Sequence, residues 1–135
     1  MLEYQSSPVS IIRQVPFGEP MHTCENRDSY LFVEITDPLM ITAAIFQDIA
    51  QACRSQDLNK ILIDLRAVRT TLSIFDRYKA GIYVASIIGP RIKMAVVAQA
   101  ALITRVAETV AVNRYGKLKM FSDIEEARRW LEVGT

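Results

Sequence analysis

The sequence predicts a single-domain α/β fold: a mixed sheet of roughly four to six strands with about four helices. Three observations carry that expectation. The stretch from Lys60 to Ser73, KILIDLRAVRTTLS, opens on Ile61-Leu62-Ile63, reads as a strand buried on both faces, and takes on helical spacing from Ser73. After residue 37, short apolar runs alternate with helically spaced segments, the pattern of parallel strands joined by right-handed crossovers. Before it, Met21–Glu25 and Ser29–Thr36 flank the polar Asn26-Arg27-Asp28, which predicts a hairpin and an antiparallel edge.

A chain of 135 residues, half of them hydrophobic, can bury one core and is too apolar for a disordered tail. The net charge of +1 gives no electrostatic case for nucleic acid, and the adjacent Arg128-Arg129 sits among Glu125, Glu126 and Glu132. The stretch Ala80–Pro90 is shorter than the ~20 residues a bilayer span needs. The opening MLEYQSSPVS carries an acid at position 3 and no long apolar run, so a cytosolic location is expected. Cys24 and Cys53 then read as reduced thiols; their separation and the absence of neighbouring histidines make no metal or redox motif.

Taken in order, residues 1–20 form an N-terminal extension. Within it Val9–Val15 reads as an edge strand or an ordered arm, bounded by Pro8, Pro16, Gly18 and Pro20. The domain proper is expected over 21–135. After the hairpin, Ile41, Ile45, Ile49, Ala52 and Cys53 share a helical face, with Thr42, or Asp37 ahead of Pro38, as the N-cap. The Lys60 strand leads to a second helix over Ser73–Ile88, capped by Ser73 with Asp76 at the third position, weakened by Gly81 and stopped by Gly89-Pro90. Tyr78, Ile82 and Ala85 are expected to face the sheet, with Tyr83 and Ile87 nearer the opposite side. Ile92–Ala98 reads as a buried strand, Ala100–Arg114 as a third helix stopped by Gly116, and Leu118–Phe121 as the last strand. Ser122 opens the last helix in a capping box with Glu125.

The element order, the length and the strand ending in Asp64-Leu65 resemble the STAS domain, the fold of anti-sigma-factor antagonists. The closer likeness is to its SpoIIAA-like branch, grouped with the Sec14 lipid-binding proteins. It spans residues 21–133, and KLKMFSDIEEARRWLE (117–132) is typical of the branch. The family's Asp-Leu-Ser-Gly-Val is met at three positions by Asp64-Leu65-Arg66-Ala67-Val68, and counting on places Ser73 where the family carries a phosphorylated serine. Leu72 and Phe75 stand where the family has Asp and Gly, so the likeness speaks for the fold more than for a kinase-driven switch.

Each candidate site has two readings. Ser73 is a phospho-acceptor, where a helix N-terminus would welcome phosphate, or a plain helix cap. Asp64, Arg66, Thr70, Thr71 and Gln99 gather at strand carboxyl ends, where α/β sheets take ligands or partners. Alternatively, Asp64 is satisfied within its own loop and Arg66 is solvated. The apolar second helix docks a partner or a second copy through Tyr83 and Ile87 or covers a lipid-like pocket, or else it is simply buried on two sides within the domain. His22, the sole histidine, reads as an exposed strand residue, and no catalytic triad, phosphate loop or zinc spacing occurs. The expectation is therefore a non-catalytic module without cofactor or metal that binds a protein partner or itself. The alternative, on the Sec14 side of the resemblance, is a binding protein for a lipid or other hydrophobic small molecule.

Overall fold

The structure, a computed structural model, is described for residues 21–133; the expected arm or edge strand within 1–20 lies outside them. Five strands form one sheet in the order β1-β2-β3-β4-β5: β1 Met21–Asn26, β2 Leu31–Thr36, β3 Lys60–Asp64, β4 Lys93–Val97 and β5 Lys117–Phe121. β1 and β2 pair antiparallel, with Cys24 opposite Val33, and the remaining pairs are parallel. Val33, Ile63, Val96 and Met120 stand in register across β2 to β5. This is the mixed sheet with an antiparallel edge that the alternation predicts.

The helices are α1 Ala43–Ser55, α2 Ile74–Tyr83, α3 Val106–Asn113 and α4 Ile124–Glu132. Each parallel connection steps to the next strand in the same direction, so right-handed crossovers deliver α1, α2 and α3 to one face. That face holds the larger core, built around Val33, Ile61, Met94, Ile45, Ile49 and Val84. α4 follows β5 and closes the other face, where Leu62, Ala95 and Val97 meet Ala127 and Leu131. β3 and β4 are therefore covered on both sides, which is why their sequences are continuous apolar runs. Burying a side chain such as Leu62 completely is worth about 1.5–3 kcal/mol.

Local chemistry fixes the helix ends. The Thr42 hydroxyl accepts from Ile45 N at 3.4 Å, so Thr42 and not Asp37 caps α1. Ser73 Oγ accepts from Asp76 N at 3.0 Å while Asp76 Oδ2 accepts from Ser73 N at 3.2 Å, a full capping box. α4 departs from expectation. Asp123 is its cap, accepting from Glu126 N at 3.0 Å, and Ser122 stands one residue outside. α3 departs more: only a single 3-10 turn, Ala100–Leu102, forms where the long third helix was expected. The chain then breaks at Arg105, whose φ of 70° is incompatible with a continuing helix, and α3 starts at Val106. At its far end it is Tyr115 (φ 68°), and not the helix-stopping Gly116, that takes a left-handed conformation. α2 runs on through a π-helical turn, Val84–Ile88, before Gly89 (φ 90°) stops it as predicted.

Candidate functional site

At the carboxyl ends of β2, β3 and β4 the chain builds two polar knots. In the first, Arg66 holds Asp64 in a two-pronged pair, Nε to Oδ1 and Nη2 to Oδ2 both at 2.9 Å, and Arg66 N adds a third bond to Oδ1 at 3.0 Å. Gln99 joins by donating from Nε2 to Arg66 O at 3.0 Å. Burial pushes the Asp64 carboxyl up, but the Arg66 side-chain hydrogen bonds, then its N–H and its charge, outweigh that and hold it below the usual carboxylate range. Asp64, Arg66 and Gln99 thus lie in one knot: Asp64 is satisfied within its own loop, and Arg66 is a partner of the carboxylate and not a merely solvated charge.

Thr70 belongs to the second knot, which centres on Asp37. That carboxylate accepts from Arg69 N (2.8 Å to Oδ2), from Thr70 N (3.0 Å) and from the Thr70 hydroxyl (2.6 Å), and the Thr70 hydroxyl in turn accepts from Leu39 N at 3.1 Å. The Thr70 hydroxyl bond, then the Arg69 N–H, lowers the Asp37 carboxyl from its ordinary range. The β2–α1 and β3–α2 loops are tied together by this one side chain. Thr71 is exposed and stands apart from both knots.

The second helix is turned differently from its expected orientation. Tyr83 and Ile87 are half-buried against the core, Tyr83 with its ring 5.4 Å from that of Phe46, while Tyr78 is exposed. The outward apolar residues are Ile74, Phe75 and Tyr78, at 74%, 64% and 38% exposure. The cause is Gly81. A Cβ there would meet Ala107 O at 2.6 Å and Val110 Cβ at 2.7 Å, so this side of α2 lies hard against α3. With Gly81 inward, helical spacing carries Arg77, Ala80, Val84 and Ile88 inward too.

Beneath α2, between it and the sheet, lies a cavity of about 110 Å³. Its floor is Ile63, Met94, Val96 and Leu118 from the sheet, and Ala80 and Val84 look down from the helix side. Thr70, Thr104, Arg77 and Arg105 are its polar lining residues. The more exposed lining residues, Thr104 and Arg105, follow β4, so the cavity opens toward the carboxyl ends of the strands.

With this arrangement in view, comparison with known proteins is informative at the level of fold. No family model and no curated protein matches the sequence. Among solved structures, an anti-sigma factor antagonist from Mycobacterium paratuberculosis superposes with a TM-score of 0.58 at 17% identity, covering 88% of this chain and 98% of that one. An uncharacterized protein with a SpoIIAA-like fold from Shewanella loihica gives 0.55 at 18% identity, covering 87% and 98%. The fold is SpoIIAA-like. The fold expected from the Asp64 strand and the terminal strand–helix is thereby met, and in this chain Ser73 stands where the β3–α2 loop enters α2.

Other candidates fall into place around that frame. Ser73 is exposed, and its hydroxyl is engaged by Asp76 N. His22 is not exposed: β1 turns it toward α1, where it is 2% accessible with Nε2 4.0 Å from Asp48 Oδ2. Cys24 and Cys53 are free and buried; burial, then Asp48 and Cys53, pushes the Cys24 thiol up to about 12, and burial pushes Cys53 up to about 11. Among the described residues no group of three or more His, Cys, Asp and Glu side chains is placed to hold a metal ion, and no helix is long and apolar enough to cross a membrane. Sequence reasoning missed Asp37 and Arg77. In the sequence Asp37 reads only as a helix cap, although Asp before Pro in a loop is a frequent hydrogen-bond acceptor. Arg77 had a readable signal: it is a cation on the same helical stripe as Ala80, Gly81 and Val84.

Proposed function

We propose that this protein is a non-catalytic, cytosolic protein-interaction module that docks a protein partner through the N-terminal half of α2. The observation that carries the reading is the cluster of Ile74, Phe75 and Tyr78, large apolar side chains left outside the core at the start of one helix. Arg114, just past the end of α3, extends the patch, lying over the Tyr78 ring at 5.7 Å and donating to its hydroxyl at 3.3 Å; next to it Tyr115 is 84% exposed. Lys79 lies 5.2 Å from the Phe75 ring, so the aromatic surface carries cations at its rim. Aromatic residues with arginine are the composition that anchors protein interfaces. The superposed Mycobacterium protein is named for antagonising an anti-sigma factor, which is itself a protein. The free, buried Cys24 and Cys53 fit a reducing compartment.

A photo-crosslinking residue at position 75, introduced in the native cells, tests the proposal against the same residue at position 125 on α4. One dominant protein adduct at 75, reduced at least ten-fold by Ile74→Glu, is expected. Equal labelling at both positions overturns the reading. Sedimentation of the purified protein then tells a second copy of this chain from a different partner.

The cavity favours a second reading, in which the module takes up a hydrophobic small molecule. Its apolar floor and its position under α2 are what such a ligand requires.

A further inference from the structure

We infer that the cavity beneath α2 accepts a small monocarboxylic acid, its apolar body about the size of one ring and its carboxylate met by Arg77 at the mouth. The inference rests on the small-molecule reading and names the ligand class for it. Size comes first. A dry cavity of about 150 Å³ lined by aliphatic and aromatic residues takes up benzene, and this one measures about 110 Å³. A single ring or a short branched chain fits, whereas a long acyl chain or a sterol does not. The floor of Ile63, Met94, Val96 and Leu118 offers no hydrogen bond from a side chain, so any polar group of a ligand must lie toward the mouth.

Charge decides the rest. Arg77 lines the cavity from the inward face of α2. Its guanidinium donates to Leu72 O (3.2 Å), Leu102 O (2.7 Å) and the Thr104 hydroxyl (3.1 Å), three neutral acceptors. No carboxylate among the described residues pairs with it. The neighbouring acids are engaged elsewhere. Glu108 is held by Arg105 Nη1 at 2.9 Å and Met120 N at 2.8 Å, and Asp37 by the Arg69 and Thr70 amides and the Thr70 hydroxyl. Asp76 closes the capping box with Ser73. A half-buried guanidinium, fixed by carbonyls and with no carboxylate partner among the described residues, at the rim of an apolar hole is complementary to a carboxylate joined to an apolar body. The carbonyl bonds also hold the fork in place before a ligand arrives, which lowers the ordering cost of binding.

The test uses phenylacetate and its neutral isostere phenylacetamide on the full chain. Methyl NMR signals of Met94, Val84 and Val96 report binding at the cavity. The expected result is saturable shifts with both, with the acid about ten-fold tighter or more, as a charge-assisted hydrogen bond provides. Arg77→Gln should abolish that preference while leaving the amide's affinity unchanged, and Ala80→Leu, which projects into the cavity, should remove binding of both. If neither compound shifts the methyl signals, the small-molecule reading itself fails. If acid and amide bind equally to the wild type, the cavity stands as an apolar site and the carboxylate assignment is overturned. If Arg77→Gln keeps the preference, Arg77 is not its reader. Should that variant fail to fold, the wild-type comparison decides alone.

Discussion

Replacing Gly81 by alanine tests how α2 is held. In an isolated helix the change is favourable by about 1 kcal/mol, because glycine loses the most backbone freedom on folding. Here the added Cβ would lie 2.6 Å from Ala107 O, 2.7 Å from Val110 Cβ and 2.9 Å from Val110 Cγ1, against ordinary contact from 3.4 Å outward. A carbonyl oxygen within α3 cannot rotate away, so α2 and α3 must part by most of an ångström. Overpacking of this kind costs about 1–3 kcal/mol, and the immobile backbone atom puts it toward the upper end. The net expectation is a loss of about 1–2 kcal/mol and a fall in Tm of roughly 5 °C. Urea and thermal unfolding of Gly81→Ala and of the double variant Gly81→Ala/Val110→Ala provide the measurement. The second change should recover little, because Ala107 O and the Cβ at position 110 remain. A Gly81→Ala protein more stable than the wild type would refute the close approach of the two helices, and with it the orientation that puts Arg77 and Val84 over the cavity.

Three further outcomes follow from particular contacts. Ile63→Asp places an unpaired charge in β3 between Val33 and Val96, at a position 5% exposed, and should cost about 3–5 kcal/mol; a soluble variant with a wild-type urea midpoint would contradict the central placement of β3. The Asp64 carboxyl is held below its unfolded value of about 3.9, so its stabilisation is complete above that value and is lost as pH falls through the lowered folded one. In Arg66→Gln the burial and the backbone N–H bond at position 66 remain while the guanidinium bonds and charge are lost, so a carbon-detected NMR titration should find Asp64 titrating at higher pH than in the wild type. Ser73 should carry no stoichiometric phosphate in protein from its native cells, since a phosphate there would displace the Asp76 N–H bond and face the Asp76 carboxylate; intact-mass analysis with a dominant species one phosphate heavier, mapped to Ser73, would reverse that expectation.

The sheet was legible because its signals are local and chemically distinct. The apolar runs at 61–63 and 94–98, the hairpin's polar turn and the Ser73 cap each point to one structure, and the alternation leaves few topologies to choose from. The polar end of the sheet was half legible: Asp64, Arg66 and Gln99 meet, yet Asp37, which joins two loops from 32 residues away in sequence, gives no periodic signal. α2 was misoriented for a more instructive reason. Its apolar residues lie all round, so the stripe Tyr78–Ile82–Ala85 and the stripe Arg77–Gly81–Val84–Ile88 compete, and hydrophobicity favours the first. The second wins because what α3 needs at the contact is the absence of a side chain, which a hydrophobic count scores as a weakness. The π-helical turn at Val84–Ile88 then changes the spacing, drawing Ile87 as well as Ile88 against the core. The same choice puts a cation on the inward side at position 77 and leaves Ile74 and Phe75 outside. One glycine thus underlies both the outward surface on which the partner proposal depends and the charge at the cavity mouth on which the ligand proposal depends.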